Sequence, residues 1–289
     1  MPHHSITAGG TTACIKSSGA EICSLVSAAG TELIWQAHEA WPRHAPNLFP
    51  IVGTLRDNRY RHNGRTYEMS RHGFARDSLF HWTERTATTA CLVLTDTPAT
   101  RAVYPFAFRF EIGYAIGADG LVITFTLRNT GDEALPAAMG AHPAFNWPLR
   151  PGVAKEVHSL TFAAMEGGSI RRVGADGLLR PTFLPSPIAG RILALHDGLF
   201  VEDAIILDQP ASTAVSFGAA GTETVTVSWE GFTQLGIWTR PGLDLLCIEP
   251  WLGYSDPAGF DGEISAKPGI VILPPGTSRS AVHRISAAP

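Results

Sequence analysis

The sequence has little charge, and it lacks any long apolar run. Only 17% of its 289 residues are charged, and 22 Lys and Arg against 26 Asp and Glu leave a net charge of -4. Such a chain offers no basic surface for nucleic acid or anionic lipid, so we expect neither partner. No apolar stretch approaches the roughly 18 residues of a membrane-spanning helix, so no membrane is expected either.

Cysteine is also scarce. The chain has four cysteines without a Cys-x-x-Cys pair, at positions Cys14, Cys23, Cys91 and Cys247. A chain of this length does not need disulfides, so we expect free thiols in a reducing compartment. The first residues show no Lys or Arg followed by an apolar run, which is not the pattern of a signal peptide. These features predict a cytoplasmic protein.

Several common catalytic signatures are missing. The sequence has no Gly-x-Ser-x-Gly elbow, no phosphate-binding glycine loop and no His-Glu-x-x-His. Its 11 histidines include no His-x-His pair that would place two imidazoles on one strand face. A cupin-like metal centre is therefore not expected.

The pattern that is present has a period of two. Apolar residues alternate through 108–114 and again through 121–127, with Asp119 and Gly120 between the runs. This arrangement predicts a β-hairpin. Similar short runs recur along the chain, helical periodicity is confined to a possible turn at 98–104, and 29 Gly with 21 Pro disfavour long helices. We predict one all-β domain over residues 1–289, an antiparallel β-sandwich, with residues 167–187 as a long excursion at its edge.

Two ionisable residues directly precede proline, His142 before Pro143 and Glu249 before Pro250. Proline restricts the preceding residue to extended backbone, which limits where its side chain can point. Glu249 follows the apolar run 245–248, so we expect its carboxylate to emerge from the end of a buried strand. A buried carboxylate needs a partner. The structural alternatives are a salt bridge from Glu249 to an arginine and a hydrogen-bonded core imidazole for His142.

Aromatic residues surround these two positions in the sequence, namely Phe145, Trp147 and Trp251. Aromatic rings can cover the C–H faces of a sugar while carboxylates, imidazoles and arginines bond its hydroxyls. The combination favours a monosaccharide pocket.

Four segments appear in an order that resembles the aldose 1-epimerase (galactose mutarotase) family: Leu48-Phe49-Pro50-Ile51-Val52-Gly53, His72-Gly73-Phe74-Ala75-Arg76, His142-Pro143-Ala144-Phe145-Asn146 and Ile248-Glu249-Pro250-Trp251. The similarity is to the bacterial mutarotase-like branch and runs from about residue 10 to 285. It implies a β-supersandwich with a site free of metals and cofactors.

The resemblance also implies roles for single residues. His142 matches the family's catalytic acid, Glu249 its catalytic base and His72 a sugar-binding histidine. Asp203 falls where the family has a hydroxyl-binding aspartate. Thr54 stands where the branch usually has arginine, so Arg56 or Arg76 is expected to supply that guanidinium, unless both are solvated charges on strand faces.

These groups suffice for anomer exchange of a free aldose. One group removes the C1 hydroxyl proton and the other protonates the ring oxygen; the ring opens, rotates about C1–C2 and recloses. We expect the carboxylate and the imidazolium on opposite sides of the pocket, with activity between their two pKa values. Two alternatives stay open: a hexose-6-phosphate 1-epimerase, suggested by six arginines between 56 and 76, and a non-catalytic sugar-binding protein.

Overall fold

The computed structural model describes residues 2–288, which fold almost entirely into β-strands joined by turns. Among these described residues, the one α-helix is α1, Pro98–Val103, and five short 3-10 helices lie in loops, at Arg56–Asn58, Ala75–Asp77, Lys155–Val157, Asp197–Phe200 and Ile264–Ala266. The strands in chain order are β1 His3–Ala8, β2 Thr11–Lys16, β3 Ile22–Val26, β4 Asn47–Leu48, β5 Arg59–His62, β6 Arg65–Glu68, β7 His81–Arg85, β8 Thr89–Thr95, β9 Phe108–Gly117, β10 Gly120–Asn129, β11 Leu135–Ala137, β12 Met139–Ala141, β13 Ala144–Asn146, β14 Ser159–Phe162, β15 Ile192–Ala194, β16 Ile205–Leu207, β17 Ala214–Gly218, β18 Thr224–Glu230, β19 Gln234–Trp238, β20 Leu245–Leu252, β21 Val271–Leu273 and β22 Ser278–Ala288.

Two large antiparallel sheets dominate the fold. One has nine strands in the order β15-β14-β17-β18-β22-β10-β9-β8-β7, and the other has six, with β16-β19-β20-β12-β4 in a row and β13 also paired with β20. A three-stranded sheet β1-β2-β3 and the pairs β11-β21 and β5-β6 complete the strands. The prediction of an all-β antiparallel sandwich is confirmed.

The predicted hairpin lies inside the nine-stranded sheet, between β22 and β8. Strands β9 and β10 pair from Gly117 opposite Gly120 to Phe108 opposite Asn129, joined by a two-residue turn. Gly120 opens β10 with φ +109°, and a Cβ there would lie 2.4 Å from a carbonyl oxygen of β22. Glycine is therefore required by both conformation and space.

A shared core joins the two large sheets. Phe110 and Phe125 from the nine-stranded sheet are fully buried in the same cluster as Ile237 and Ile248 from the six-stranded sheet. Burying each such side chain contributes about 1.5–3 kcal/mol relative to leaving it exposed. The core therefore fixes the position of β19 and β20, the two strands that carry much of the site.

Two other local predictions can be compared with the structure. The turn of helix expected at 98–104 is α1, which begins after Thr97 with a reciprocal capping interaction between Thr97 and Thr100. The excursion at 167–187 has no named strand, but a bridge from Arg171 to Ile206 holds it beside β16, the edge strand of the six-stranded sheet, and a bridge from Leu179 to Pro257 joins it to the loop after β20. Within residues 2–288, no helix has the length and apolar character needed to cross a bilayer.

Candidate functional site

The register of the six-stranded sheet places His142 opposite Glu249. Strand β12 pairs with β20 at Gly140–Trp251, and β13 pairs with it at Ala144–Cys247. Both pairings follow the same register, so the intervening His142 and Glu249 are cross-strand neighbours, whose Cβ atoms lie about 5 Å apart in such pairs.

Proline interrupts the ladder at this point. Pro143 and Pro250 have no N–H to donate, so the continuous pairing of β20 with β12 and β13 breaks around them. One contact spans the gap, from the Ile248 N–H to the Pro143 carbonyl at 3.3 Å. Glu249 was expected at the end of the strand, but it lies inside β20, all eight residues of which are buried.

The side chains of His142 and Glu249 meet in the cavity. His142 Nε2 lies 3.2 Å from Glu249 Oε2, and the two side chains are 10% and 1% exposed. The expectation that they face each other across the pocket was wrong, because neighbouring positions on paired strands put them side by side. The alignment at Oε2 is not that of a hydrogen bond, and no other group in residues 2–288 bonds this oxygen.

Burial controls the protonation of this pair. It raises the pKa of Glu249 well above its ordinary value, although the charge of Arg71 opposes the shift. Burial, reinforced by Arg71, also lowers the pKa of His142 to about 3. Both groups are thus biased towards their neutral forms. At any pH between these two pKa values, the pair holds one proton in total.

His72 reaches the same cavity from the loop between β6 and β7. It has φ +67°, a left-handed conformation that is uncommon for a residue other than glycine and is often found at functional sites. The Gly53 N–H donates to His72 Nδ1 at 3.1 Å. Nδ1 is therefore an acceptor, and neutral His72 carries its proton on Nε2 as a donor. Burial, together with the nearby His142, lowers the pKa of His72 well below its ordinary value.

The cavity has a volume of about 300 Å³. Its aromatic walls are Trp41, Trp238 and Trp251, and His142 stacks on Trp41 with ring centroids 5.6 Å apart. Trp251 depends on glycine beside it, since a Cβ at Gly236 would lie 2.4 Å from its ring. The sequence suggested Phe145 and Trp147 as walls, but both are completely buried in the main core and lie outside this lining.

Four guanidinium groups line the cavity, those of Arg43, Arg71, Arg76 and Arg240. Arg76 is one of the two predicted arginines; its Nη2 donates to the Arg71 carbonyl at 2.7 Å, and burial lowers its pKa to about 10. The expectation that Arg56 binds the sugar is wrong, because its side chain does not line the cavity. Its side chain is exposed outside the cavity because its backbone N–H is anchored to Asp256, at 2.9 Å.

Asp203 also lines the cavity, as the sequence predicted. Its left-handed backbone, φ +64°, lets its Oδ1 accept the N–H of Ala204 at 2.7 Å. The other oxygen lies 3.9 Å from Arg71 Nη2, and the side chain is one-third exposed. One carboxylate oxygen is thus held internally while the other faces the arginine side of the cavity.

Some lining residues were not found from the sequence. Trp41, Arg43 and Arg240 come from loops, where no periodicity marks the direction of a side chain, and Trp238 is the last residue of β19. The available signal for Trp238 was its position near the end of the strand that pairs with β20. That pairing is a long-range property that one sequence does not contain.

A metal could in principle be held beside the pair, because ligand atoms of His142, Cys247 and Glu249 lie within 4.8 Å of one another. Metal binding would require deprotonated thiolate and carboxylate. Burial raises the pKa of Cys247 well above its ordinary value, as it does for Glu249, so both protonated forms are favoured. A metal here would have to displace two protons, those of Cys247 and Glu249, at three buried positions, so this donor set fits a metal poorly. The metal-free, cofactor-free site remains a prediction.

Comparisons with known proteins agree over nearly the whole chain. The family model described as aldose 1-epimerase matches residues 2–282. The chromosomal LacX protein of Lactococcus lactis is 30% identical over 285 residues, with 93% of this chain and 94% of LacX covered.

Two solved structures share the fold. A galactose mutarotase related enzyme from Lactobacillus acidophilus has a TM-score of 0.92 at 32% identity, with 99% of this chain and 97% of that chain covered. A galactose mutarotase-like protein from Lactobacillus casei also has a TM-score of 0.92, at 26% identity, and 99% and 100% of the two chains are covered.

Proposed function

Since the chain belongs to the aldose 1-epimerase family, we propose that it interconverts the α and β anomers of a free aldose. The observation that carries the proposal is the 3.2 Å separation of His142 Nε2 and Glu249 Oε2 inside the cavity. The two oxygens that exchange protons in this reaction are bonded to one carbon, C1, and so lie close together. Neighbouring acid and base groups match that arrangement better than groups on opposite walls.

In the proposed mechanism, the reactive form of the pair has its one proton on His142, the less populated of the two positions, and an ionised Glu249. Glu249 then takes the proton of the C1 hydroxyl while His142 gives its proton to the ring oxygen. The C1–ring oxygen bond breaks, and the open-chain aldehyde rotates about C1–C2. On reclosure neutral His142 and protonated Glu249 exchange roles, which returns one proton to each original position. Each stage leaves the pair with one proton in total, so the buried site does not accumulate net charge.

The surrounding groups suit a single sugar ring. A volume of about 300 Å³ is at the lower end of the range of roughly 300–1,000 Å³ for ligand pockets, which favours a monosaccharide. His72 Nε2–H can donate to a hydroxyl, and Asp203 can accept from one. Trp41, Trp238 and Trp251 provide apolar faces for the C–H groups of the ring.

Polarimetry on freshly dissolved α-glucose and α-galactose tests the proposal. The wild-type protein should accelerate the change in rotation over buffer, and His142→Asn should lower the rate about 10²–10⁴-fold. A matched control is His283→Asn, since His283 is also buried with its pKa lowered to about 3, but lies in β22 outside the cavity. Sugar binding without acceleration by the wild type would instead identify a non-catalytic sugar-binding protein.

A sugar phosphate is the second candidate substrate, and the four cavity arginines favour it. Guanidinium groups bind phosphate bidentately. The carboxylates beside them are those of Asp203, 3.9 Å from Arg71, and Asp77, which is paired with Arg43 and Arg76, so the arginines outnumber the carboxylates. If glucose 6-phosphate is the substrate, its kcat/KM should exceed that of glucose. Arg76→Ala should then reduce the preference, while Arg56→Ala, outside the cavity, should leave it unchanged. Equal kcat/KM for both sugars would argue against a phosphate site.

A further inference from the structure

Three side chains with metal-ligating atoms converge on the outer face of the sheet formed by β1, β2 and β3. His3 Nδ1 lies 3.6 Å from Cys23 Sγ and 4.0 Å from Cys14 Sγ. All three ligand atoms lie within 4.8 Å of one another. This cluster is separate from the cavity, and the proposed sugar chemistry does not use it.

The backbone explains why the three side chains share a face. Ile6 on β1 pairs with Ala13 on β2, and both are fully buried, so the adjacent odd positions of β1 face outward with Cys14. His3 is therefore on the same side as Cys14, two residues along the ladder from Ser5, the direct partner of Cys14.

A β-bulge adds the second thiol. Cys14 pairs with Ser24, but Ile15 pairs with Ile22, so Cys23 is an extra residue in β3. Both Ile22 and Leu25 face the core, which leaves Cys23 and Ser24 together on the outer face. A regular strand would turn Cys23 inward; the bulge redirects it towards Cys14.

We propose that His3, Cys14 and Cys23 form a zinc site. Two thiolates and one imidazole are the soft and borderline ligands that zinc selects. Zinc–nitrogen and zinc–sulfur bonds of about 2.1 and 2.3 Å at tetrahedral angles separate ligand atoms by about 3.6–3.8 Å. The observed nitrogen–sulfur distances of 3.6 and 4.0 Å therefore require only small side-chain rotations.

The fourth coordination position of the zinc would be taken by water, because the charged side chains nearby are already paired. Lys16 is on the same outer face, but its Nζ is paired with Glu21 Oε2 at 2.5 Å. Glu21 is in turn committed, because its Oε1 accepts the backbone N–H groups of His44 and Ala45. Burial, reinforced by Cys14, raises the pKa of Cys23 to about 12, so zinc must displace the thiol proton on binding. Unlike His142, Cys247 and Glu249, which are all buried, this cluster has an exposed histidine and two partly exposed cysteines, so the displaced proton can pass to water.

The test is a titration of the full-length, chelator-stripped protein with Zn²⁺ against a chromophoric chelator, with the thiols kept reduced. One zinc per chain is expected. Mutation of a residue that only hydrogen-bonds to a metal ligand already lowers metal affinity by about 10–100-fold. Loss of a direct ligand in Cys14→Ser, Cys23→Ser or His3→Ala should therefore weaken zinc binding by more than about tenfold. His3 is exposed, so His3→Ala tests the site without disturbing the core.

Two cysteines outside the cluster serve as controls. Cys91→Ser is matched in exposure, and Cys247→Ala tests whether zinc binds beside His142 and Glu249 instead. Both should retain wild-type affinity. Substitution by Co²⁺ should give a thiolate-to-cobalt absorption band that each cluster cysteine variant roughly halves.

Several results would overturn the site. These are no zinc binding by the reduced wild type, unchanged affinity in His3→Ala, or a loss confined to Cys247→Ala. A Cys14–Cys23 disulfide that forms in air and leaves the reduced protein unable to bind zinc would show a redox pair instead. None of these outcomes depends on sugar turnover, so failure here is distinct from failure of the proposed function.

Discussion

The two large sheets differ in how regularly they are paired. Strand β10 of the nine-stranded sheet alternates buried and partly exposed residues along its length and pairs with β9 at ten successive positions. Strand β20 of the six-stranded sheet is buried at all eight positions, and its pairing with β12 and β13 is interrupted at His142–Pro143. The regular ladder supports the core, whereas the interrupted one releases two polar side chains into a cavity.

Two buried histidines show that burial alone does not create a site. His283 in the nine-stranded sheet and His142 in the six-stranded sheet both have their pKa lowered to about 3, chiefly by burial. Neither ring nitrogen of His283 has a hydrogen-bond partner among residues 2–288. His142 differs because it has Glu249 at 3.2 Å and a cavity beside it. We expect substitutions to affect chemistry in one sheet and stability in the other.

The largest expected effect on chemistry is that of Glu249→Gln. Loss of the base should lower the polarimetric rate about 10²–10⁴-fold, a barrier increase of about 2.7–5.5 kcal/mol, while sugar still binds. Stability should not fall. The pKa of Glu249 is higher in the folded state than in the unfolded state. Its contribution to the free energy of unfolding is therefore fully present below the unfolded-state pKa and is lost as the pH rises through the folded-state pKa. Gln stays neutral and avoids that loss.

Urea unfolding of the wild type and Glu249→Gln at about pH 5 and about pH 8 measures this contrast. The variant should gain relative stability at the higher pH. The competing structural role was a salt bridge to a buried arginine. If Glu249 had that role, Glu249→Gln would break the salt bridge and lower the free energy of unfolding by about 3–5 kcal/mol. Among residues 2–288, the ion pair of Glu249 is with His142 and with no arginine. Arg71, the arginine that acts most strongly on Glu249, has a side chain that is 49% exposed, so it is not a buried partner.

The nine-stranded sheet should give the opposite result. Phe125 is fully buried against Phe110 and Phe232, with ring centroids 6.2 and 5.6 Å away. Phe125→Ala should lower the free energy of unfolding by about 3–5 kcal/mol and leave the rate per folded molecule unchanged. The adjacent Thr124→Ala, on the partly exposed face, should have little effect on either. A large loss of rate per folded Phe125→Ala molecule would show that the two sheets are not functionally separate.

The same difference determines what could be predicted from the sequence. The hairpin of β9 and β10 followed from local alternation and one turn, because its contacts are close in sequence. The identity of His142 and Glu249 as candidates followed from their motifs, but their adjacency did not, because strands distant in sequence set the register. Arg56 was misplaced because a pattern in one segment does not contain its anchor at Asp256.

His72 should affect binding more than chemistry. Loss of its Nε2–H donor costs about 0.5–3 kcal/mol, so His72→Ala should raise KM about 2–160-fold with kcat little changed. His72→Asn is the informative companion, because asparagine tolerates the left-handed backbone and keeps a donor. If both variants lose kcat and leave KM unchanged, His72 acts in the transition state and not as a uniform binding group.

The smallest expected effect is a displacement of the pH profile by Arg71→Gln. The pair holds one proton between two limits: the acid limit is set by His142, whose pKa is lowered to about 3, and the alkaline limit by Glu249, whose pKa is raised. The positive charge of Arg71 lowers the pKa of both groups, so its removal should raise both. The bell of kcat/KM against pH should therefore move to higher pH at both edges and keep its width. Half of the Arg71 side chain is exposed, so the displacement should be small and should shrink further in high salt. Arg56→Gln, outside the cavity, should leave the profile where it is. A profile that loses height in Arg71→Gln but keeps its edges would mean that Arg71 positions the sugar and does not tune the pair.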